Sequence, residues 1–468
     1  MKRRVRFLGI VCTFLGLAVL DCAQTTAIVG GTLIDLTGFG HSTNDLPDAI
    51  ILVEGDKIAA VGPARSVEIP KGARIINARG KFLVPGLIDG FGAQRTQGYA
   101  SAYLYEGVTT VYVPTIPKVG GGDGELEVLK VGNPSPRLFL GAPVTGYSID
   151  GIDTAPDSLK TTRLHEPRLS SEQLIARIDQ LAVQGFRGIT IGSDVWPDQL
   201  DVIVAEAKTK HLAILAEPAF ASYPYAIRSD VEALVHNDHY QMELAPAPAK
   251  LERADGNGAN AYQFLCGVKA SSSSVTELAI QLAHSNTALM PTLAIEATAD
   301  LLDVPNPWKP CSSVLVSPSD LDVPVDPKTG ASGWLSSLPP ERRDYVRRCG
   351  WHKEKIDARL YQLGARFLAA SSASTYGVMP GSGLHLELEL LHRIGLTPRE
   401  ALAAGTDNYA VVYGWKDVGR IEAGRNADLL ILSADPRQSV SALNHIDTVM
   451  LSGEILDREH LLRVDHSR

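Results

Sequence analysis

The chain has 468 residues, 45% of them hydrophobic and 21% charged, with a formal net charge of -9. That length can bury a large core and suits one large domain with a small one. The acidic balance leaves no electrostatic footprint for nucleic acid, and no apolar run of roughly 18 residues in the body predicts a membrane span.

Lys2, Arg3, Arg4 and Arg6 precede an apolar run from Phe7 to Leu20. A charged stretch followed by an apolar one of that length predicts a signal peptide over residues 1–23, cleaved near Ala23. Export in a bacterial-type cell would place the mature chain in the periplasm. Asp21 is the wrong residue before a lipid-modified Cys22, so simple secretion is preferred to a lipid anchor. Cys266, Cys311 and Cys349 then remain, with no C-x-x-C zinc pattern. One disulfide among them suits an oxidising compartment. Cys311–Cys349 would close a loop-rich stretch, but the sequence does not choose the pair.

Ala27 to Ile34, Ala49 to Val61 and Ala73 to Ile76 are predicted strands, with a Gly55-Asp56 turn inside the second. Gly107 to Tyr112 follows as a strand. Lys118 to Ser170 is rich in Gly, Pro and Ser and is predicted as a long loop; its Gly120-Gly121-Gly122 lacks the Lys-Ser/Thr of a phosphate loop. Ser171 to Gln184 has helical spacing at Leu174, Ile178 and Leu181, with a serine cap. Ile189 to Gly192 is a strand, Gln199 to Lys210 a helix, His211 to Ala216 a strand, and Arg228 to Leu234 a helix leading to Val235-His236. Val275 to Ser285 is a helix, and Ala288 to Leu293 an apolar run. Asp303 to Pro340 is a second long loop. Lys353 to Leu363 is helical, Arg366 to Ala370 a strand, Gly383 to Ile394 a helix. Pro398 to Thr406 is the last helix, with Thr397 as cap. Ile421 to Leu432 and Asp447 to Ile455 return to strands. The alternation of strands and helices in the middle points to βα units.

The stretch Lys81-Phe82-Leu83-Val84-Pro85-Gly86-Leu87-Ile88-Asp89-Gly90-Phe91-Gly92-Ala93 is a strand, a Pro-Gly turn and a second apolar run. It resembles the entry segment of the amidohydrolase superfamily. Ile51-Leu52-Val53-Glu54-Gly55-Asp56-Lys57-Ile58, Gly395-Leu396-Thr397-Pro398-Arg399-Glu400-Ala401-Leu402 and Gly419-Arg420-Ile421-Glu422-Ala423-Gly424-Arg425-Asn426-Ala427-Asp428 carry the resemblance over nearly all of residues 27–460. It is nearest the imidazolonepropionase-like and prolidase-like branch. The resemblance implies an α/β fold: a (β/α)8 TIM-like barrel over residues 85–411, and a small β-sandwich built from 24–84 and 412–468.

It also implies where a hydrolytic metal would sit. The family places two histidines after the first barrel strand, where this chain has Phe91 and Ala93. Its lysine or acid after strand 4 aligns with Thr190. Its strand 5 histidine aligns with Ala216 or with Pro218, and Glu217 stands between them. The strand 6 histidine is kept as His236. The strand 8 aspartate aligns with Ser372, in Ala370-Ser371-Ser372. A metal centre needs several imidazole or carboxylate donors aimed at one point, and the aspartate would also serve as general base. Only His236 keeps its family residue.

The expectation is therefore an amidohydrolase-related barrel without its metal centre or any other cofactor, binding a small molecule or peptide at the barrel mouth. The candidate pocket residues are His236, Glu217, Thr190, Ser371, Ser372 and Phe91. The competing expectation is an active hydrolase of amides, cyclic amides or Xaa-Pro dipeptides, with zinc or another divalent metal in an atypical centre on His236 and Glu217. A third is an interaction protein without chemistry. Taken singly, His236 also reads as a packed polar residue at a strand end, His239 as surface, His385 as a structural contact, and Glu217 as a loop charge. Ser371 and Ser372 lack a readable His-Asp partnership for a nucleophile. Homo-oligomers are compatible with all of this.

Overall fold

The computed structural model describes residues 25–114, 134–147, 168–245, 267–301, 314–316, 321, 340–375 and 377–463. The expected signal segment, Cys22, the triple glycine, Cys266, Cys311 and most of the second long loop lie outside them. Among the described residues no helix is long and apolar enough to cross a membrane.

Both chain ends build one mixed sheet. Its first strands are β1 (Thr26–Leu33), β2 (Leu46–Glu54), β3 (Lys57–Pro63), β4 (Arg74–Asn77) and β5 (Phe82–Pro85). Gly55, with φ +59°, makes the two-residue hairpin that pairs Glu54 with Lys57. β5 is the joint: it runs parallel to β1 and antiparallel to Leu429–Leu432, a strand from the far end of the chain. Ile28, Ile51, Val53, Leu83, Leu429, Ile431 and Met450 form the buried core of this sheet.

The second sheet is the barrel: β6 (Leu87–Asp89), β7 (Val108–Val113), β8 (Arg137–Val144), β9 (Gly188–Ile191), β10 (Ala213–Ala216), β11 (Ala233–Val235), β12 (Ala288–Met290) and β13 (Arg366–Phe367), each parallel to the next in chain order. β14 (Leu429–Leu432), β15 (Ile446–Leu451) and β16 (Glu454–Ile455) complete the first sheet. The helices are α1 (Gln97–Tyr105), α2 (Ser171–Val183), α3 (Pro197–Thr209), α4 (Tyr223–Arg228), α5 (Asn237–Tyr240), α6 (Ser273–Ala283), α7 (Leu293–Leu301), α8 (Pro340–Gln362), α9 (Ser382–Arg393), α10 (Pro398–Ala404), α11 (Asp407–Val412) and α12 (Arg458–Leu461). The first and last barrel strands meet past their ends, where Ser372 N donates to Phe91 O at 2.7 Å and Gly90 N reaches Ala369 O at 3.4 Å.

Side chains alternate along a strand, so each barrel strand serves two cores. Ile189, Ile191, Ile214, Ala216, Leu234 and Leu289 pack outward under the helices. Ala213, Leu215, Ala233, Val235, Ala288, Met290 and Leu368 point inward. The inward set is short, which leaves room for rings. Tyr112, Phe139, Tyr409 and Trp415 fill it; Trp415 stacks on Tyr409 at 5.6 Å and meets Phe139 edge-on at 4.7 Å. The interior is a packed core rather than a pore. Gly90 is required by this filling, because a Cβ there would stand 1.7 Å from the Tyr409 hydroxyl oxygen.

Two expectations are corrected. The Gly- and Pro-rich stretch before Ser170 contains β8, a full barrel strand. The helix expected over Arg228 to Leu234 lies earlier, at α4. Ser222 caps it and Pro224 stands in its first turn, and the chain leaves it through Asp230 at φ +63°. Elsewhere local signals hold: Ser170 with Gln173 and Thr397 with Glu400 form the capping boxes that start α2 and α10. Cys349 is disulfide-bonded, and its partner lies outside the described residues.

Candidate active site at the barrel mouth

Catalytic groups of such barrels stand at the C-terminal strand ends. Three residues there turn the chain through the left-handed region without being glycine: His236 (φ +61°) after β11, Thr292 (φ +54°) after β12, and Ser372 (φ +57°) after β13. Such backbone is costly for non-glycine residues and gathers at functional sites.

His236 stands at the centre. Its Nδ1 lies 2.8 Å from Thr292 Oγ1. The threonine hydroxyl already donates its one proton to Pro291 O at 2.6 Å. With the hydroxyl proton placed on that carbonyl, Thr292 accepts from the ring, and His236 Nδ1 is assigned the proton. The other ring nitrogen, Nε2, faces Glu217 Oε1 at 3.6 Å. Glu217 Oε2 lies 3.2 Å from His239 Nδ1. One carboxylate thus lies between two imidazoles, one oxygen to each. The His236 ring meets the Phe91 ring edge-on at 5.0 Å and the His239 ring edge-on at 5.1 Å.

The expected site residues divide. His236, Glu217 and Phe91 come together at the mouth. Ala216 does not join them: its side chain packs in the outer, helix-facing core, and the inward parity of β10 falls on Leu215 and then Glu217. Thr190 is buried and gives its hydroxyl to Pro114 O at 2.9 Å, tying β9 to the end of β7. Ser371 is fully buried on Asp89: its hydroxyl donates to Oδ2 at 2.5 Å and its N–H to Oδ1 at 2.9 Å. Burial pushes the Asp89 carboxyl up to about 6, against these bonds. Ser372 is fully buried, with its hydroxyl 3.3 Å from Thr375 Oγ1. His385 is a structural contact, its Nε2 2.8 Å from Glu106 O.

His239 is corrected from surface to site. It is half-buried beside Glu217, because α5 starts at the strand tip and places positions 236 and 239 on one side. The i, i+3 histidine spacing was the available signal. Thr292 and the buried Asp357 beneath α5 had none.

Among the described residues, no group of three or more His, Cys, Asp or Glu is arranged to hold a metal ion. Glu217 lies between the two imidazoles instead of joining them around one point, and the Phe91 ring packs where a donor would be needed. The residues present do not fit the metal centre that the fold's relatives would imply.

The amidohydrolase family model matches residues 369–456. The imidazolonepropionase of Shouchella clausii is 48% identical over 65 residues, which is 13% of this chain and 14% of that protein. Matches to the first relatives span only 13% to 22% of those proteins' length. The imidazolonepropionase of Symbiobacterium thermophilum is 26% identical over 443 residues, covering 87% of this chain and 90% of its own. The structure of a Xaa-Pro dipeptidase with bound methionine in the active site superposes with a TM-score of 0.62 at 16% identity, over 92% of this chain and 100% of that one. Barrel, end-built sheet and these likenesses point the same way: the chain is similar to amidohydrolases in sequence over its C-terminal stretch and in fold over most of its length.

Proposed function

We propose that this chain is a metal-free member of the superfamily that binds a small molecule or peptide at the barrel mouth and does not hydrolyse it. The observation that carries the reading is the Glu217 carboxylate lying between His236 and His239, with Phe91 against His236. A hydrolytic cation needs converging donors and a base on its bound water, and neither is assembled from these groups. Polar groups with an apolar flank instead suit recognition of a ligand with a charged or hydrogen-bonding head. An oxidising compartment goes with this reading, in keeping with the disulfide at Cys349.

A second reading keeps activity: hydrolysis of C–N bonds in amides, cyclic amides or Xaa-Pro dipeptides. The imidazole–carboxylate contact of His236 and Glu217 favours it, since such pairs serve as acid and base. Dipeptides and N-acyl amino acids, assayed for binding by calorimetry and for turnover with and without zinc, separate the two. Binding without turnover supports the first reading. Turnover that His236→Ala abolishes overturns it.

A further inference from the structure

Two fully buried carboxylates, Asp357 on α8 and Glu387 on α9, lie outside the mouth and touch the elements that form it. Asp357 accepts from Asn237 Nδ2 at 3.1 Å, Tyr240 Oη at 2.8 Å and Gln241 Nε2 at 2.8 Å. Those donors are α5 and its continuation, the short helix that begins at His236 and carries His239. Gln241 Nε2 also reaches Lys353 O at 3.0 Å, one turn before Asp357. Glu387 accepts from Ala294 N at 2.7 Å, in the first turn of α7, directly after Thr292. A four-residue helix has too few bonds of its own to hold a side chain in place. A left-handed threonine is likewise held only by what surrounds it.

We propose that Asp357 and Glu387 are positioning residues of the barrel mouth: Asp357 sets where α5 presents His239, and Glu387 sets Thr292 and, through it, the ring of His236. The inference rests on the mouth being the binding face, yet it stands or falls on the geometry of the two rings and not on any ligand. The groups facing Asp357 are Tyr240, Asn237 and Gln241 from α5 and the turn after it, with Lys353 on its own helix; Asp238 acts on Lys353. Those facing Glu387 are the backbone N–H groups of Leu293 and Ala294, with Asp89 and Asp357 acting on it through space. Burial pushes Asp357 up to about 7 and Glu387 up to about 8, so both change charge in an accessible range.

The test is the ring-nitrogen NMR of His236 and His239 in the full chain, followed from about pH 5 to 9, with exposed His445 as reference. Wild type is compared with Asp357→Asn and Glu387→Gln, which keep shape, and with Asp357→Leu and Glu387→Leu, which keep bulk alone. In wild type both mouth rings are expected to show an added inflection from the buried carboxyls. Asp357→Asn removes it at His239 and Glu387→Gln removes it at His236. The leucine variants shift the tautomer balance of the same rings while His445 is unmoved. Identical curves for both rings in wild type and the amide variants overturn the proposal, as does a His445 signal that moves with them. If a leucine variant does not fold, the amide variants decide alone. A failed ligand screen leaves these spectra untouched, so the two claims fail separately.

Discussion

Asp89 and Ser371 are 282 residues apart and close the barrel between them. One carboxylate takes both the hydroxyl and the N–H of the serine, in a place sealed from water. Asp89→Ala leaves both donors unsatisfied, at about 1 to 3 kcal/mol each. We expect Asp89→Ala to lose about 3 kcal/mol in urea unfolding, and Asp89→Asn to lose less, since an amide oxygen still accepts one bond. Equal stability of wild type and Asp89→Ala would show that the seam is held elsewhere.

Stability should fall as pH rises from weakly acidic to weakly basic. Burial lifts Asp89 to about 6, Asp357 to about 7, Glu232 to about 7 and Glu387 to about 8. A carboxyl lifted on folding holds its proton more tightly in the folded chain. Its contribution is whole below the unfolded pKa and is lost as pH climbs to the folded one, at about 1.4 kcal/mol per unit and group within that window. Acids paired with Arg or Lys, such as Asp45 and Asp447, lowered on balance, work oppositely below that range. The urea midpoint is therefore expected to be higher at about pH 5 than at about pH 8, with a smaller drop in Asp357→Asn and Glu387→Gln. A midpoint that rises over that interval would count against buried, neutral acids.

His236 should carry its proton on Nδ1, because Thr292 has already spent its own on Pro291. Nitrogen-15 spectra distinguish the two ring positions. Thr292→Val, which removes the acceptor, is expected to shift the neutral ring toward the Nε2–H form. A neutral ring protonated on Nε2 in wild type would reverse the assignment.

The sequence carried the frame well and the mouth poorly. Pro85-Gly86, the Gly55 hairpin and the Ser170 and Thr397 caps are local signals, each set by a few neighbouring residues, and the elements they bound are where they were expected. β8 was hidden because Pro134 and Pro136 and the glycines around it read as loop, although the strand behind them is an almost unbroken apolar run from Leu138 to Val144. The site depends on left-handed turns at His236 and Thr292, which no residue type announces when glycine is absent. It also depends on contacts such as Asn237 with Asp357, 120 residues apart, which leave no periodic trace. Parity separates two neighbours that the sequence leaves side by side: the sheet turns Ala216 to the helices and Glu217 to the mouth.

Phe91 offers a gain-of-function check. Replacing it and Ala93 by histidine puts one imidazole against His236 and a second one two residues along the chain. We expect Phe91→His/Ala93→His to take up zinc in equilibrium dialysis where wild type does not, because affinity grows steeply with the number of preorganised donors. No uptake by the double variant, with its fold intact by circular dichroism, would mean that more than these two donors separates this mouth from a metal centre.

The most direct measurement is the metal content of the purified full chain by mass spectrometry, after dialysis against metal-free buffer and again after exposure to zinc. We expect far less than one tightly held ion per chain in both cases. About one or more ions per chain, released together with activity by His236→Ala, would contradict it.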